Sequence, residues 1–216
     1  MKTDDLIGLL AADAAPVPRH AGERRFALAL AAGALLALAW VATAYGLRAD
    51  LPRIVFMPVF WEKVAMPLAV AVSAVVVLFR LAHPGMRLHG GRLGAWLPVV
   101  PVLLLWIWAA AVLATAAPDA RADLLLGSTW RVCVFNVVAT ALPVGAGLFW
   151  ALRGLAPTRP MLAGAMAGWL AGAVGASVYS LHCPEMDAPF LAVWYVLGMA
   201  MSAGIGAWAG RRWLRW

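Results

Sequence analysis

The stretch that decides the fold is FALALAAGALLALAWVATAYGL, which runs from Phe26 to Leu47 and holds 22 residues without a charged side chain. At 1.5 Å of rise per residue, a helix of this length covers a hydrocarbon core of about 30 Å. The run is continuously apolar, whereas a strand of a membrane barrel would alternate polar and apolar residues. The stretch therefore predicts a membrane-spanning helix.

Five further apolar runs of near-span length follow this first one. They cover residues 64–82, 95–116, 132–152, 161–181 and 190–210. Their cores hold no Asp, Glu, Lys or Arg, and Arg80 lies near the end of the second run. We therefore expect an all-α polytopic membrane protein, with a bundle of six transmembrane helices over residues 26–216 and a polar segment over residues 1–25.

The composition excludes most soluble classes of protein. Of the 216 residues, 64% are hydrophobic and only 12% are charged, with a mean hydropathy of +0.85. Soluble domains are about half apolar and about a quarter charged. A soluble enzyme, a nucleic-acid-binding module and a disordered regulator are therefore disfavoured, and membrane lipid is the expected surrounding.

The basic residues predict the orientation of the helices, because Lys and Arg are enriched in cytoplasmic loops. The termini and even-numbered connectors hold Lys2, Arg19, Arg24, Arg25, Arg80, Arg87, Arg92, Arg153, Arg159, Arg211, Arg212 and Arg215. The odd-numbered connectors hold Arg48, Arg53, Lys63, Arg121 and Arg131. Twelve against five predicts that both termini are cytoplasmic.

Small residues recur at every fourth position in the last two runs. They are Gly164, Gly168 and Gly172, followed by Gly175, in the fifth run, and Gly198, Ser202, Gly206 and Gly210 in the sixth. Small residues at this spacing share one helix face and let another backbone approach closely. We expect these faces to pack within the bundle, and a homodimer through them is the alternative.

The polar amino-terminal segment holds a short amphipathic pattern. Leu6, Ile7 and Leu10 share one helical face, Leu9 lies at its edge, and Asp4 and Asp5 precede them. Such a short helix is marginal alone in water. The segment is either a tail that packs on nothing or a helix that folds into a groove of a cytosolic partner.

The chain has two cysteines, Cys133 and Cys183, which the predicted topology brings to the same depth at the external face. They could be two buried small residues, a static disulfide, or a pair that responds to a redox or metal signal. His182 and Glu185 add further groups of metal-binding type, so a transient metal ion on His182, Cys183, Glu185 and Cys133 is a candidate cofactor.

The chemistry of other membrane proteins is missing from the sequence. An ion carrier usually needs ionisable groups at membrane depth, and the runs hold none in their cores. A thiol–disulfide oxidoreductase usually has a Cys-x-x-Cys pair, which the sequence lacks. Such an oxidoreductase and a small-solute transporter remain the alternatives to a signalling protein, and we do not expect an enzyme.

Three short motifs resemble those of the NrsF family of membrane anti-sigma factors. They are the opening Met1-Lys2-Thr3-Asp4-Asp5-Leu6-Ile7, the connector Arg80-Leu81-Ala82-His83-Pro84-Gly85 and the loop His182-Cys183-Pro184-Glu185. The resemblance covers essentially the whole chain. It implies a six-span protein of the bacterial inner membrane that holds an extracytoplasmic-function sigma factor, with no direct contact with nucleic acid.

The resemblance also implies roles for particular residues. The sigma factor would be bound by the amino-terminal segment, through Asp4, Asp5, Leu6, Ile7, Leu9 and Leu10. Cys133 and Cys183 would respond to an external redox or metal stress and release it.

Overall fold

In the computed structural model, which describes residues 3–12, 20–83 and 93–214, all regular secondary structure is helical. The elements are α1 (Thr3–Ala12), α2 (Ala21–Trp40) with a π-helical turn (Val41–Tyr45), α3 (Leu51–Ile54), α4 (Pro58–Ala82), a 3-10 helix (Leu93–Val99), α5 (Val100–Thr115), α6 (Ala120–Leu126), α7 (Trp130–Arg153), α8 (Pro160–Tyr179), α9 (Ala188–Phe190), a second π-helical turn (Leu191–Tyr195) and α10 (Val196–Trp213). The prediction of an all-α protein is confirmed.

Six helical stretches are long and apolar enough to cross a membrane, as the sequence predicts. They cover Ala21–Tyr45, Pro58–Ala82, Trp96–Thr115, Ala120–Arg153, Pro160–Tyr179 and Ala188–Trp213. Large apolar side chains such as Leu35, Leu104 and Phe135 stay exposed on the surface of the bundle. This is the architecture of a multi-pass membrane protein, in which lipid takes the place of water around such side chains.

Two helices begin earlier than the apolar runs suggest. The first span begins at Ala21 rather than at residue 26, and α4 begins at Pro58 rather than at residue 64. Proline suits the first turn of a helix, because its missing N–H would have no partner there. Lys63, which we expected in a connector, consequently lies inside α4 and is 1% exposed.

The six spans alternate in direction, so their ends gather at two ends of the bundle. The loop after the fifth span meets the connector after the first, where His182 Nδ1 lies 2.8 Å from the carbonyl oxygen of Gly46. We call this the cysteine end, and it comprises residues 46–57, 116–129 and 180–187. The opposite, terminal end comprises residues 20–25, 153–160 and 211–214. An even number of spans brings the outer ends of the first and last spans to the terminal end.

The glycine faces of α8 and α10 pack against each other, backbone to backbone. A Cβ on Gly168 would collide with the carbonyl oxygen of Ser202, and one on Gly164 would collide with that of Gly206. Packing within the bundle is therefore confirmed. Each face is covered by the other in this structure, and a homodimer through them stays a prediction.

The helix α7 packs between α2 on one side and α8 on the other, and in this sense it is a central helix of the bundle. Gly33 of α2 meets the backbone of Val144 on one side, and Gly175 of α8 meets the backbone of Ala141 on another. No side chain separates the helices at these points, so α7 cannot shift without displacing its neighbours. Cys133 lies in the first turn of this central helix.

Candidate functional site

The two cysteines occupy neighbouring elements at the cysteine end. Cys133 lies at the start of α7, and Cys183 lies in the loop that follows α8. Both are free thiols, both are fully buried, and the Cys133 thiol lowers the pKa of Cys183. The structure thus brings the two predicted residues together as a dithiol, while their role as a sensor stays a prediction.

The main-chain carbonyl of Cys183 accepts hydrogen bonds from two cationic side chains. Lys63 Nζ donates to this oxygen at 2.6 Å, and Arg48 Nη1 donates to it at 3.3 Å. The Lys63 ammonium also lies 5.6 Å from the centre of the Tyr195 ring. A buried ammonium is unfavourable without acceptors or a counter-charge. These contacts therefore hold Lys63 in its buried position.

Arg48 has its own carboxylate partner. Its Nε donates to Oδ1 of Asp50 at 2.6 Å and its Nη2 donates to Oδ2 at 2.7 Å, which is a two-pronged ion pair. These hydrogen bonds raise the pKa of Arg48 and lower the pKa of Asp50. Among the described residues, no carboxylate lies within ion-pair distance of Lys63.

Glu185 fastens the cysteine loop to the start of α7. Its Oε1 accepts hydrogen bonds from the N–H and hydroxyl of Ser128 at 2.7 and 2.6 Å, and from those of Thr129 at 3.2 and 3.3 Å. Burial raises the pKa of Glu185, but these hydrogen bonds outweigh burial and lower the pKa below its ordinary value. Gly127, with a φ of +53°, leaves the space that the carboxylate fills.

Aromatic rings stiffen the surroundings of the dithiol. The Tyr179 ring lies 6.1 Å from those of both Tyr45 and Tyr195, measured between ring centres. Asn136 Nδ2 donates to the Tyr179 hydroxyl at 3.2 Å, so this buried hydroxyl has a partner. Rigid rings with satisfied polar groups fix the positions of the elements that carry the thiols.

The surroundings favour the ionised form of Cys183. The hydrogen bond from the Cys133 thiol lowers the pKa of Cys183, and the Lys63 ammonium and the Tyr195 hydroxyl lower it further, although burial opposes them. The thiolate is the form of cysteine that attacks electrophiles and is oxidised. Cys183 is therefore the residue of the pair that is suited to react first.

The candidate metal ligands do not form a metal site. Glu185 is bound to Ser128 and Thr129, and His182 is bound to the Gly46 carbonyl. Over residues 3–12, 20–83 and 93–214, no group of three or more His, Cys, Asp or Glu is placed to hold a metal ion. In this structure His182 and Glu185 tie the loop to its neighbours, and a transient metal ion on His182, Cys183, Glu185 and Cys133 stays a prediction.

The predicted amino-terminal helix is present as α1. Asp4 and Asp5 lie in its first turn, as suits the positive end of a helix dipole. Ile7 and Leu9 are 59% and 64% exposed. The side chains of Leu6 and Leu10 lie outside the described residues. A ten-residue helix with exposed apolar side chains is the kind of element that a partner protein stabilises.

At the terminal end, the start of the first span is fastened to the end of α7. Arg25 Nη2 donates to the carbonyl oxygen of Trp150 at 2.6 Å, and its guanidinium carbon lies 4.1 Å from the centre of the Trp150 ring. Gly154 leaves the space for this contact, because a Cβ there would collide with Arg25. The central helix therefore contacts the cysteine loop at one end and the beginning of the first span at the other.

Lys63, Tyr195 and Arg25 contribute to the surroundings described above, although the sequence predicts no such role for them. Pro58 could have signalled that α4 begins before Lys63, since proline is common in the first turn of a helix. The sequence gives Arg25 only a part in the basic-residue count that predicts the orientation of the helices. Tyr195 lies in an apolar run, and its spacing carries no signal of a contact with Cys183.

Comparison with known proteins identifies the family of the chain. The profile of the NrsF family, described as a negative regulator of sigma F, matches residues 10–216. Two relatives are each 41% identical to the chain over the full length of both sequences. One is "Probable anti-sigma-F factor NrsF" of Azospira oryzae, and the other is "Anti-sigma-F factor NrsF" of Caulobacter vibrioides. No solved structure matches the chain.

The fold and the relatives together define a class, the helical membrane proteins that regulate a sigma factor. This class consists of regulators rather than enzymes. The chain belongs to the NrsF family of negative regulators of sigma F. The resemblance drawn from the three sequence motifs is confirmed, and the family implies a sigma factor as the partner.

Proposed function

We propose that this protein holds an extracytoplasmic-function sigma factor at the bacterial inner membrane and releases it when an external oxidant acts on Cys133 and Cys183. The observation that carries the proposal is the buried dithiol at the cysteine end, opposite the end where the first and last spans terminate. Oxidation is favoured over metal binding, because the described residues hold no group of metal-ligating side chains around the thiols.

The proposed orientation rests on the basic residues. Of the five basic residues that the sequence assigns to the cysteine end, Arg48, Arg53 and Arg121 lie in its connectors, Arg131 lies in the first turn of α7, and Lys63 is buried in α4. Twelve belong to the termini and the opposite connectors, of which Lys2, Arg19, Arg87, Arg92 and Arg215 lie outside the described residues. Reporter fusions at Pro157 and Asp187 test this orientation: the first should report cytoplasmic and the second external. The reverse result would contradict an external sensor.

The sigma factor is proposed to bind α1. Exposed Ile7 and Leu9 offer apolar surface, and Asp4 and Asp5 offer negative charge to a basic partner surface. The partner should copurify with the intact protein from detergent extracts. It should be lost when residues 1–12 are deleted from a chain that still reaches the membrane.

Transmission from the thiols to α1 would pass along α7. This helix has 24 residues and is therefore about 36 Å long. A new bond or charge at Cys133 would tilt its first turn, and the tilt would displace Trp150 and Gly154 against Arg25 at the far end. The bundle must have two packings that the state of the thiols biases differently.

The test is the response of a sigma-dependent reporter gene to an external oxidant. Cys133→Ser and Cys183→Ser should each leave the protein in the membrane and abolish the response. The double variant should match either single one, because two thiols that act as one unit are not additive. Ser177→Ala, a change to a hydroxyl that bonds only within α8, is the matched control and should respond normally. Normal induction in the double variant would contradict the proposal.

A further inference from the structure

The buried Lys63 is the feature of the cysteine end that the sensor proposal does not yet use. Its side chain comes from the second span, whereas the thiols belong to the fourth span and to the loop after the fifth. It is one of the largest fully buried side chains of the protein. A lysine is rarely buried to this degree unless a partner compensates its charge.

No carboxylate provides that compensation. Asp50 is occupied by both prongs of Arg48, and Glu185 is occupied by Ser128 and Thr129. Within the described residues, the ion pairs involve His20 with Glu23 and Arg48 with Asp50, and neither includes Lys63. The groups near Lys63 that can carry a negative charge are therefore the thiols of Cys133 and Cys183, with which Lys63 interacts electrostatically, and the hydroxyl of Tyr195. A thiol is ordinarily the more acidic of these two kinds of group.

The hydrogen bonds around the cluster favour charge separation. Lys63 Nζ has a carbonyl acceptor at 2.6 Å and an aromatic face at 5.6 Å, both of which stabilise a cation. The Cys133 thiol and the Tyr195 hydroxyl lower the pKa of Cys183, and the Thr129 hydroxyl lies 4.0 Å from its sulfur. Donors of this kind stabilise an anion.

We infer that Lys63 is the counter-ion of Cys183, so that the resting cluster holds an ammonium beside a thiolate. In forming this pair, the S–H bond of Cys183 breaks and the proton moves to Nζ of Lys63, while the electron pair stays on the sulfur. The net charge of the cluster does not change. Lys63 is then a positioning residue that acts through Cys183, and Cys133 is the thiol that donates to it.

The charged and titratable groups around the pair come from every element packed there. They are Arg48, Asp50, Cys133, Tyr179, Glu185 and Tyr195. Arg48 opposes the charge on Lys63 and favours the charge on the sulfur, and its ion pair with Asp50 moderates both effects. The inference rests on the proposed function only for its role in sensing, since the charge state is a property of the resting protein.

The S–H stretching band in the infrared spectrum tests the inference without any reagent reaching the buried sulfur. Cys133→Ser leaves Cys183 as the single thiol of the chain and keeps a hydroxyl donor beside it. In the purified full-length protein at neutral pH, this variant should lack most of the band, which should appear on acidification. A full band at neutral pH would overturn the inference, because Cys183 would then be a neutral thiol and could not pair with the Lys63 ammonium.

Substitutions of Lys63 in this background separate charge from packing. Lys63→Met should restore the band at neutral pH, whereas Lys63→Arg should keep it weak. Arg53→Met removes an exposed basic residue at the same end and should change nothing. A band equally weak with Met at this position would contradict the role of Lys63.

The outcome does not depend on signalling. If the cysteine variants responded normally to oxidants, the proposed sensor would fail while the thiolate could still be present. If the sensor held and the band were full, only the inference about Lys63 would fail.

Discussion

At the cysteine end, Lys63, Cys133 and Cys183 are almost completely buried and held by side chains from four different elements. In α1, by contrast, every side chain that the structure describes is exposed. The first region is organised before any signal arrives, because its geometry is fixed by packing. The second exposes Ile7 and Leu9, and a helix this short gains stability from a partner that covers it. The difference fits the proposed roles, in which a rigid cysteine end responds to the signal and an adaptable α1 binds the partner.

The largest expected effect comes from breaking the packing that supports the rigid region. Gly168→Leu would push a side chain into the backbone of α10, and overpacking of this kind costs about 1–3 kcal/mol or more. We expect loss of the monodisperse, heat-resistant protein in detergent, measured by thermal unfolding and gel filtration. Gly204→Leu is the control, since Gly204 lies in α10 with no atom within 4 Å of the position of an added Cβ. Equal stability of the two variants would contradict the glycine contact.

The next effect concerns the adaptable region and should leave the bundle untouched. Leu6→Ala combined with Leu10→Ala should weaken sigma binding by about tenfold or more, because burial of one leucine is worth about 1.5–3 kcal/mol. Affinity is measured with the purified pair. Leu35→Ala with Leu36→Ala, two exposed leucines of the first span, should bind normally. Unchanged affinity in the first variant would move the binding site to the arginine-rich connectors.

A smaller effect is expected at the tie between the cysteine loop and α7. The folded protein lowers the pKa of Glu185, so the tie stabilises the protein above the ordinary pKa of glutamate, about 4.3. This contribution is lost as the pH falls through the folded-state pKa. Glu185→Gln should therefore be less stable at neutral pH, by about 1 kcal/mol for a partly exposed group, and equal to the parent in acid.

Thermal unfolding across the pH range measures this difference. Asp187→Asn, at an exposed acid in the same loop, is the matched control. Its difference in stability from the parent should be the same at neutral and at acidic pH. A constant difference between Glu185→Gln and the parent at all pH values would mean that packing, and not charge, holds the loop.

The smallest effect sharpens the description of α1. Gly8 lies in the helix with no atom within 4 Å of the position of an added Cβ. Gly8→Ala should favour the helix by about 0.5–1 kcal/mol and tighten sigma binding by about two- to fivefold. Circular dichroism of a peptide of residues 1–20 checks the gain in helix. Weaker binding would indicate that the Gly8 face packs closely against the partner.

Most of the fold could be predicted from the sequence, because a bilayer imposes length and hydropathy on every span. The close packing of α8 and α10 was equally visible, since small residues at every fourth position are typical of membrane helices whose backbones touch. The ends of helices were less accurate. The helix α2 begins at Ala21 and includes the charged Glu23, Arg24 and Arg25, and α4 begins at Pro58 and includes the charged Glu62 and Lys63. Hydropathy does not detect helix that extends beyond an apolar run in this way.

The site could be predicted only in part. The depth of Cys133 and Cys183 follows from counting spans, so their proximity was foreseeable. Lys63 was not, because its burial depends on a carbonyl that approaches from a loop 120 residues away. The hydrogen bonds of Glu185 to Ser128 and Thr129 were equally hidden. Such contacts arise from the tertiary arrangement and leave no periodic signal in the sequence.

The arrangement of spans also fixes the order in which the protein can be completed during synthesis. The tight contact between α8 and α10 joins two consecutive spans, so it closes as a local hairpin once the last span has been made. The cluster at the cysteine end draws on the second, fourth and sixth spans and on the loop after the fifth, so it forms only then. The helix α1 leaves the ribosome first, because synthesis proceeds from the amino terminus. An unfinished chain therefore exposes the segment that we propose to bind the sigma factor before the cluster that we propose to regulate it exists.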